Sequence, residues 1–213
     1  MIIKEFCAEN FTAIPQAIRA GARRIELCDN LTVGGTTVSV GVMEETITYC
    51  HEHDVAVMTI IRPRGGDFVY NDTELKIMET DLQEAKRLAA DGIVIGCLTK
   101  DNWLDEEAME HFIDLAQGLE ITFHMAFDQL TAANQFKAID WLAQRGVSRI
   151  LTHGGPSNEP IENHLPHLQA LIAHADQRLT ILPGGGVSFE NAEAIATALN
   201  VKEVHGTKIV PYK

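Results

Sequence analysis

Eight short apolar segments, each with the composition of a β-strand, recur along this chain and alternate with longer segments of helical periodicity. The strand segments are residues 2–7, 23–28, 55–61, 92–97, 120–125, 148–152, 179–182 and 202–205. Eight units in 213 residues leave about 27 residues for each, the size of a compact strand–helix repeat. We therefore predict one α/β domain over residues 1–213, folded as a parallel eight-stranded (β/α)8 barrel of the TIM type.

The segments between the strands place apolar residues at helical spacing. In 73–90, Leu75, Met78 and Leu82 are three or four positions apart, with charged residues between them. The predicted helices of this kind are 73–90, 105–117, 131–144, 160–174 and 188–199. Four glycines that follow helices predict left-handed turns into the next strand, namely Gly21, Gly92, Gly118 and Gly146. The rival fold, an open doubly wound sheet, is disfavoured because no G-x-G-x-x-G follows the first strand.

The end of the chain is short for a barrel of this type. Only seven residues follow Gly206, so we predict that the last helix is short or missing. The apolar residues beside the gap would then be exposed, namely Val201, Val204, Ile209 and Val210. We expect a homodimer to cover this flank. The alternative is that the tail from Thr207 folds back over the opening by itself.

Charge and cysteine content limit the partners and the compartment. A formal net charge of -13 disfavours nucleic acid and anionic membrane surfaces as partners. No apolar run reaches the roughly 18–20 residues that cross a bilayer, and the first residues lack the pattern of a signal peptide. None of the four cysteines forms a C-x-x-C pair. We expect a cytoplasmic protein with free thiols.

The carboxyl ends of the predicted strands collect side chains that are suited to chemistry. In barrels of this type the active site forms at that end. Glu26, Arg62 and His124 lie there and are the catalytic candidates if the protein is an enzyme. Glu26 needs a partner inside the barrel, for which we expect Arg62 or His124. The competing interpretation is that these groups only hold the barrel together through ion pairs and hydrogen bonds.

A second set of residues predicts an anion site at the same end. Arg62 and Arg64 supply guanidinium groups, which bind carboxylate or phosphate through a rigid fork of donors. Glycines after the seventh and eighth strands can offer backbone N–H groups, at the place where many barrels bind phosphate. These glycines are Gly184, Gly185, Gly186 and Gly206. The alternatives are an arginine ion pair with Glu26 or Asp67 and a tight turn that binds nothing.

Two cysteines end neighbouring strands. Cys7 closes the first strand and Cys28 the second, and adjacent strands lie about 4.8 Å apart. Two thiolates at that distance can hold a soft ion such as Cu(I). The alternative is that both are ordinary buried thiols. The segment 50–53, CHEH, falls at the end of a predicted helix on the far face, and we interpret it as a solvated helix end.

Taken together, several segments resemble the CutC copper homeostasis family. They are GARRIELCDNL (21–31), GGTT (34–37), IRPRGGDFVY (61–70), FH (123–124), AFD (126–128), LPGGG (182–186) and EVHG (203–206). The resemblance covers essentially the whole chain. It implies a cytosolic TIM-barrel protein that is associated with copper tolerance and copper binding, with no agreed enzymatic reaction.

Carried over position by position, the resemblance singles out Glu26, Cys28, Arg62, Arg64, Asp67, His124, Asp128 and His205, with Cys7 and Cys28 as the soft ligands for copper. This chain departs from the family pattern at Met125, where an arginine is expected, and at His153, where a serine is usual. The first function hypothesis is a copper-binding protein. The second is a barrel enzyme that acts on a small anionic or phosphorylated metabolite, and the third is a scaffold without chemistry.

Overall fold

The computed structural model describes residues 2–212, and these form eight strands that alternate with helices. The strands are β1 Ile3–Glu9, β2 Arg24–Cys28, β3 Ala56–Ile60, β4 Gly92–Ile95, β5 Glu120–Phe123, β6 Arg149–Thr152, β7 Thr180–Pro183 and β8 Glu203–Gly206. The helices are α1 Ile14–Arg19, α2 Val40–His51, α3 Asp72–Arg87, α4 Glu106–Leu115, α5 Ala132–Gln144, α6 Leu165–Ala175 and α7 Ala192–Leu199. None of these helices is long and apolar enough to cross a membrane.

All hydrogen-bonded strand pairs are parallel, and the eight strands form one sheet in the order β7-β6-β5-β4-β3-β2-β1-β8. β8 pairs with β1 and also packs beside β7, which brings the two ends of the sheet together. The predicted (β/α)8 barrel is therefore confirmed. Its carboxyl strand ends form one mouth, where the loops after the strands converge.

Apolar residues fill the layer between the sheet and the helices. The helices α3 and α4 show the pattern. The buried stripe of α3 includes Met78 and Leu82, and that of α4 includes Met109 and Phe112. Asn71 caps α3: its side-chain oxygen accepts from two backbone N–H groups. The backbone N–H of Asn71 in turn donates to the side-chain carboxylate of Glu74. Inside the barrel a second, smaller cluster contains Cys7, Cys28, Met58, Ile60 and Val94.

One of the predicted glycine turns is wrong. Gly92 does not follow a helix in a left-handed turn; it begins β4, and Ala89 takes the positive φ of 62°. A side chain at position 92 would collide with Met58 inside the barrel, so packing explains this glycine. The helix predicted over 160–174 starts late, as expected from Pro166: a 3-10 turn over Ile161–His164 precedes α6, and Pro166 lies in the first turn of α6.

The expected apolar flank at the end of the chain is also wrong. Ile209 and Val210 are fully buried in the core, and so is Val204. The ring of Tyr212 packs edge-on against Phe6, with 4.8 Å between the centroids. The tail itself thus covers the opening that an eighth helix would cover, and the reason for expecting a homodimer is removed.

Candidate functional site

A cavity of about 790 Å³ opens at the carboxyl ends of the strands. Its wall includes Cys7, Glu26, Arg62, His124 and His205. These side chains come from strands β1, β2 and β8 and from the first residues after β3 and β5. The structure therefore brings the predicted copper ligand Cys7 and the three predicted catalytic residues to one cavity.

Cys7, Glu26 and His205 form the tightest group in this wall. Their ligand atoms, one from each residue, all lie within 4.8 Å of one another, and all three residues are buried. Cys7 and Glu26 are register partners on β1 and β2. The Cys28 thiol hydrogen-bonds with that of Cys7; it ends β2, two residues after Glu26, and lies against Gly35. The group thus combines soft sulfur, imidazole and carboxylate donors.

Both thiols are held in the protonated state. Hydrogen bonding with Cys28, followed by burial and the negative charge of Glu26, raises the pKa of Cys7 well above its ordinary value. For Cys28 the bond with Cys7 lowers the pKa, but burial and Glu26 outweigh it and bring the pKa to about 11. A metal ion that binds here as a thiolate complex must therefore displace these protons.

Glu26 pairs with His205, which differs from the expected partners Arg62 and His124. Nε2 of His205 lies 3.4 Å from Oε2 of Glu26, and Nδ1 lies 2.8 Å from Oε1 of Glu5. Burial lowers the pKa of His205, but Glu26 and the hydrogen bonds to Cys7 and Glu5 outweigh it, so the pKa is raised well above its usual range. Burial raises the pKa of Glu26. An imidazolium thus stands between two carboxylates.

Glu5 is a site residue that the sequence analysis missed. It is buried inside the barrel, where its carboxylate also pairs with Arg24. Burial alone raises the pKa of Glu5, but Arg24 and His205 outweigh it and lower the pKa to about 2. The available signal was the spacing, since Glu5 stands two positions before Cys7 and hence on the same face of the strand.

Arg62 is a buried clamp for the loops at the mouth. Its Nη1 donates to the carbonyls of Val33 and Gly35, both at 2.9 Å, and Nη2 donates to Gly66 at 2.9 Å. The guanidinium also lies over the ring of Phe68, 4.9 Å from its centroid. Arg62 therefore lines the cavity while it fixes the loops that follow β2 and β3.

Arg64 lies outside the lining of this cavity. Its Nε donates to Glu74 at 2.5 Å, and Nη2 donates to Asp67 and to the carbonyl of Val69. The expected pairing with Asp67 is thus found at Arg64 and not at Arg62. The donors of Arg64 thus face the start of α3, and Arg64 is not part of the cavity wall.

His124 caps the short helical turn that follows β5. Its Nδ1 accepts a hydrogen bond from the backbone N–H of Ala126 at 3.2 Å. Its Nε2 is buried and has no partner among residues 2–212. Burial, with the positive charge of Arg62, lowers the pKa of His124 to about 3. The imidazole is therefore uncharged at neutral pH.

Comparison with known proteins gives the family. The model of the CutC family matches residues 2–210. The chain belongs to the CutC family. A CutC family protein of Enterococcus faecalis is 70% identical over 209 residues, which are 98% of this chain and 100% of that protein. The human copper homeostasis protein cutC homolog is 37% identical over 203 residues, covering 95% of this chain and 72% of that protein.

A solved structure of the CutC family supports the fold directly. The crystal structure of CutC from Streptococcus agalactiae superimposes with a TM-score of 0.96. The two chains are 48% identical, and the match covers 99% of this chain and 100% of that one. Both the family resemblance and the barrel architecture predicted from the sequence are thus confirmed.

The glycines that follow β7 and the glycine that ends β8 have two separate roles. Gly184 and Gly206 are sites of close approach: a side chain at 184 would press on Leu151 and His205, and one at 206 would collide with the Val187 carbonyl. Gly185 and Gly186 line the cavity with positive φ values of 73° and 90°. The first pair therefore lets β7 and β8 approach each other, and the second pair shapes the rim.

Met125 and His153, two of the positions expected to depart from the CutC pattern, also lie near this rim. Met125 lines the cavity. His153 does not join the Cys7 group; its Nδ1 lies 2.6 Å from the carbonyl of Gly185 and its Nε2 3.1 Å from that of Glu159. Asp128 accepts from the Thr152 hydroxyl and, at 3.0 Å, from the His153 N–H. His153 and Asp128 therefore fix the loops, while Met125 forms part of the cavity wall.

Proposed function

We propose that this chain is a cytoplasmic protein of copper homeostasis that binds Cu(I) through Cys7 and Cys28. The observation that carries the proposal is the contact between these two buried thiols inside the barrel, with Glu26 and His205 beside Cys7. Membership of the CutC family and the name of the human relative support it. Four free cysteines agree with a reducing compartment.

The donor set fits this ion. Cu(I) is soft and prefers thiolate sulfur, while imidazole is also an acceptable ligand. His205 is held as an imidazolium between two carboxylates, so the two sulfurs are the ligands in that state. Glu26 lies within 4.8 Å of Cys7 and can accept the proton that the thiol releases. Each displaced proton makes the apparent affinity about tenfold higher per pH unit.

A competition titration tests the proposal. Cu(I) is titrated against a chromophoric Cu(I) chelator under anaerobic conditions, with the intact chain and with Cys7→Ser and Cys28→Ser. The matched control is Cys97→Ser, since Cys97 is equally buried but lies after β4, outside the Cys7 group. We expect one Cu(I) per chain, and an affinity that falls in both site variants and holds in the control. An unchanged affinity in Cys28→Ser rules this site out.

A second candidate function is an enzyme that acts on a small anionic or phosphorylated metabolite. The observation that favours it is the volume of the cavity, about 790 Å³, which lies in the range of small-molecule sites and far exceeds the space for one ion. Arg62 and the glycine rim, Gly184–Gly186 with Gly206, would form the anion site, and Glu26 or His124 would provide acid–base chemistry. Binding of inorganic phosphate, followed by 31P NMR line broadening, tests the anion site; unbroadened phosphate lines would exclude it.

A further inference from the structure

His124 is the buried polar side chain of the cavity whose hydrogen-bonding capacity is least used. Nδ1 accepts from the Ala126 N–H, so it carries no proton. A neutral imidazole holds its single proton on the other nitrogen. Nε2 is therefore an N–H donor, and it is the atom that has no partner in the described part of the chain. A buried donor without an acceptor costs free energy, which a ligand oxygen would recover.

The environment of His124 keeps this donor uncharged and shielded. The side chain is 5% exposed and lines the cavity. The half-buried ring of Phe68 packs on it, with 4.8 Å between the ring centroids, and also lies under Arg62. Phe68 belongs to the loop between β3 and α3 and lines the same cavity as His124.

The opposite rim of the cavity favours a negative group. Lys208 lines it and makes no ion pair with the residues in the range 2–212. The backbone N–H groups of Gly185 and Gly186 donate to no described residue, and both glycines have positive φ. Successive free N–H groups in such a turn form a concave site for anions. Glu190 also lines this rim but is exposed to solvent, so Lys208 and the two free N–H groups are its anion-binding groups.

We propose that the cavity binds a small phosphorylated carbonyl compound, with the phosphate at Lys208, Gly185 and Gly186 and a ketone or carboxylate oxygen accepting from Nε2–H of His124. This inference rests on the second candidate function and names its ligand class. His124 is then a positioning and polarising donor, because its Nδ1 accepts from the Ala126 N–H and its Nε2–H is the group left to donate to a ligand. Glu26, on another wall, is left as the acid–base group.

The test compares two probes that share a phosphate. Isothermal titration calorimetry measures 2-phosphoglycolate, which adds a carboxylate oxygen, against inorganic phosphate. We expect the intact chain to prefer phosphoglycolate by about tenfold or more, the contribution of one hydrogen bond to a charged group. His124→Phe removes that preference, and His124→Gln restores part of it, because its amide donates from the same region. Lys208→Ala lowers the affinity for both probes, and the distant His174→Phe leaves both affinities unchanged.

The outcomes separate the two levels of the argument. If the intact chain binds neither probe, the anion site of the second candidate function fails. If it binds both with equal affinity, or if His124→Phe keeps the preference, the role of His124 fails while the anion site stands. Should His124→Phe not fold, 15N NMR of the histidine rings in the intact chain decides: a proton on Nε2 supports the inference, and a proton on Nδ1 overturns it.

Discussion

Nδ1 of His205 lies 2.8 Å from Oε1 of Glu5, although the two residues are 200 positions apart in the chain. They are register partners on β8 and β1, so their ion pair joins the last strand to the first inside the barrel. Arg24 extends the pair from Glu5 towards Glu203, while Glu26 extends it to the cavity. The seam of the barrel and the wall of the candidate site are therefore one charged network.

Removal of Glu5 should destabilise the fold strongly. In Glu5→Ala, the buried cations His205 and Arg24 lose their shared carboxylate, and uncompensated buried charges cost about 3–5 kcal/mol. Urea unfolding of the variant measures the loss. Lys4→Ala is the matched control, because Lys4 makes one solvent-exposed pair with Glu193 and should cost less than about 1 kcal/mol. Equal effects in the two variants would refute the structural role of the network.

The two arginines of the 61–70 loop should behave differently. Arg62→Ala removes three charge-assisted bonds to backbone carbonyls and should lower the free energy of unfolding by on the order of 3 kcal/mol. Arg64→Ala removes pairs with Glu74 and Asp67 and bonds to three backbone carbonyls, but this side chain is 36% exposed and screened by solvent, so the loss should be smaller, about 1 kcal/mol. Thermal unfolding of both variants compares them. A larger loss in Arg64→Ala would contradict the assignment of Arg62 as the clamp.

The acid dependence of stability should contain a contribution from His124. Its pKa is lowered from 6.5 to about 3 in the fold, so between these values the unfolded chain binds one more proton than the folded chain. The contribution of His124 to the free energy of unfolding is therefore fully present above pH 6.5. It falls as the pH is lowered, by up to about 1.4 kcal/mol per pH unit. Urea unfolding at pH 7, 6 and 5 should show a shallower slope for His124→Gln. Parallel slopes would mean that His124 titrates normally.

The tail should act as the missing cover of the barrel. Ile209 is fully buried, and Ile209→Ala should cost about 2–5 kcal/mol through lost contacts and a cavity. Ile77→Ala, at a residue that is 45% exposed on α3, is the control and should cost far less. Denaturant midpoints give the comparison. If Ile209→Ala unfolds like the intact chain, the tail does not hold the barrel closed.

The sequence predicted the barrel because strand segments, helix spacing and the number of units agreed. It predicted that the last helix is short or missing but could not decide between a dimer and a folded-back tail, because an irregular tail has no periodicity. The sequence around Ile209 and Val210 is equally compatible with an exposed tail and with a tail that folds back. Their contacts with the core show that the tail folds back. Gly92 illustrates the same limit, since close packing under Met58 and a left-handed turn both require glycine.

For the candidate site, the strand-end rule located Cys7, Glu26, Arg62, His124 and His205 at one cavity. The rule did not reveal pairings, which depend on barrel register. The Glu5–His205 pair follows from the closure of β8 onto β1, and that register is set by the whole sheet. Likewise, the proximity of Arg62 and Arg64 in sequence concealed that one faces the cavity and the other the start of α3.

The sulfur coordination of bound copper tests the central claim most directly. Extended X-ray absorption fine structure on the Cu(I)-loaded chain counts the sulfur neighbours of the ion. We predict two sulfurs per copper in the intact chain and in Cys97→Ser, and fewer in Cys28→Ser, because Cys7 and Cys28 are the two thiols in contact. A copper surrounded only by nitrogen and oxygen, or one whose two sulfurs persist in Cys28→Ser, would contradict the account.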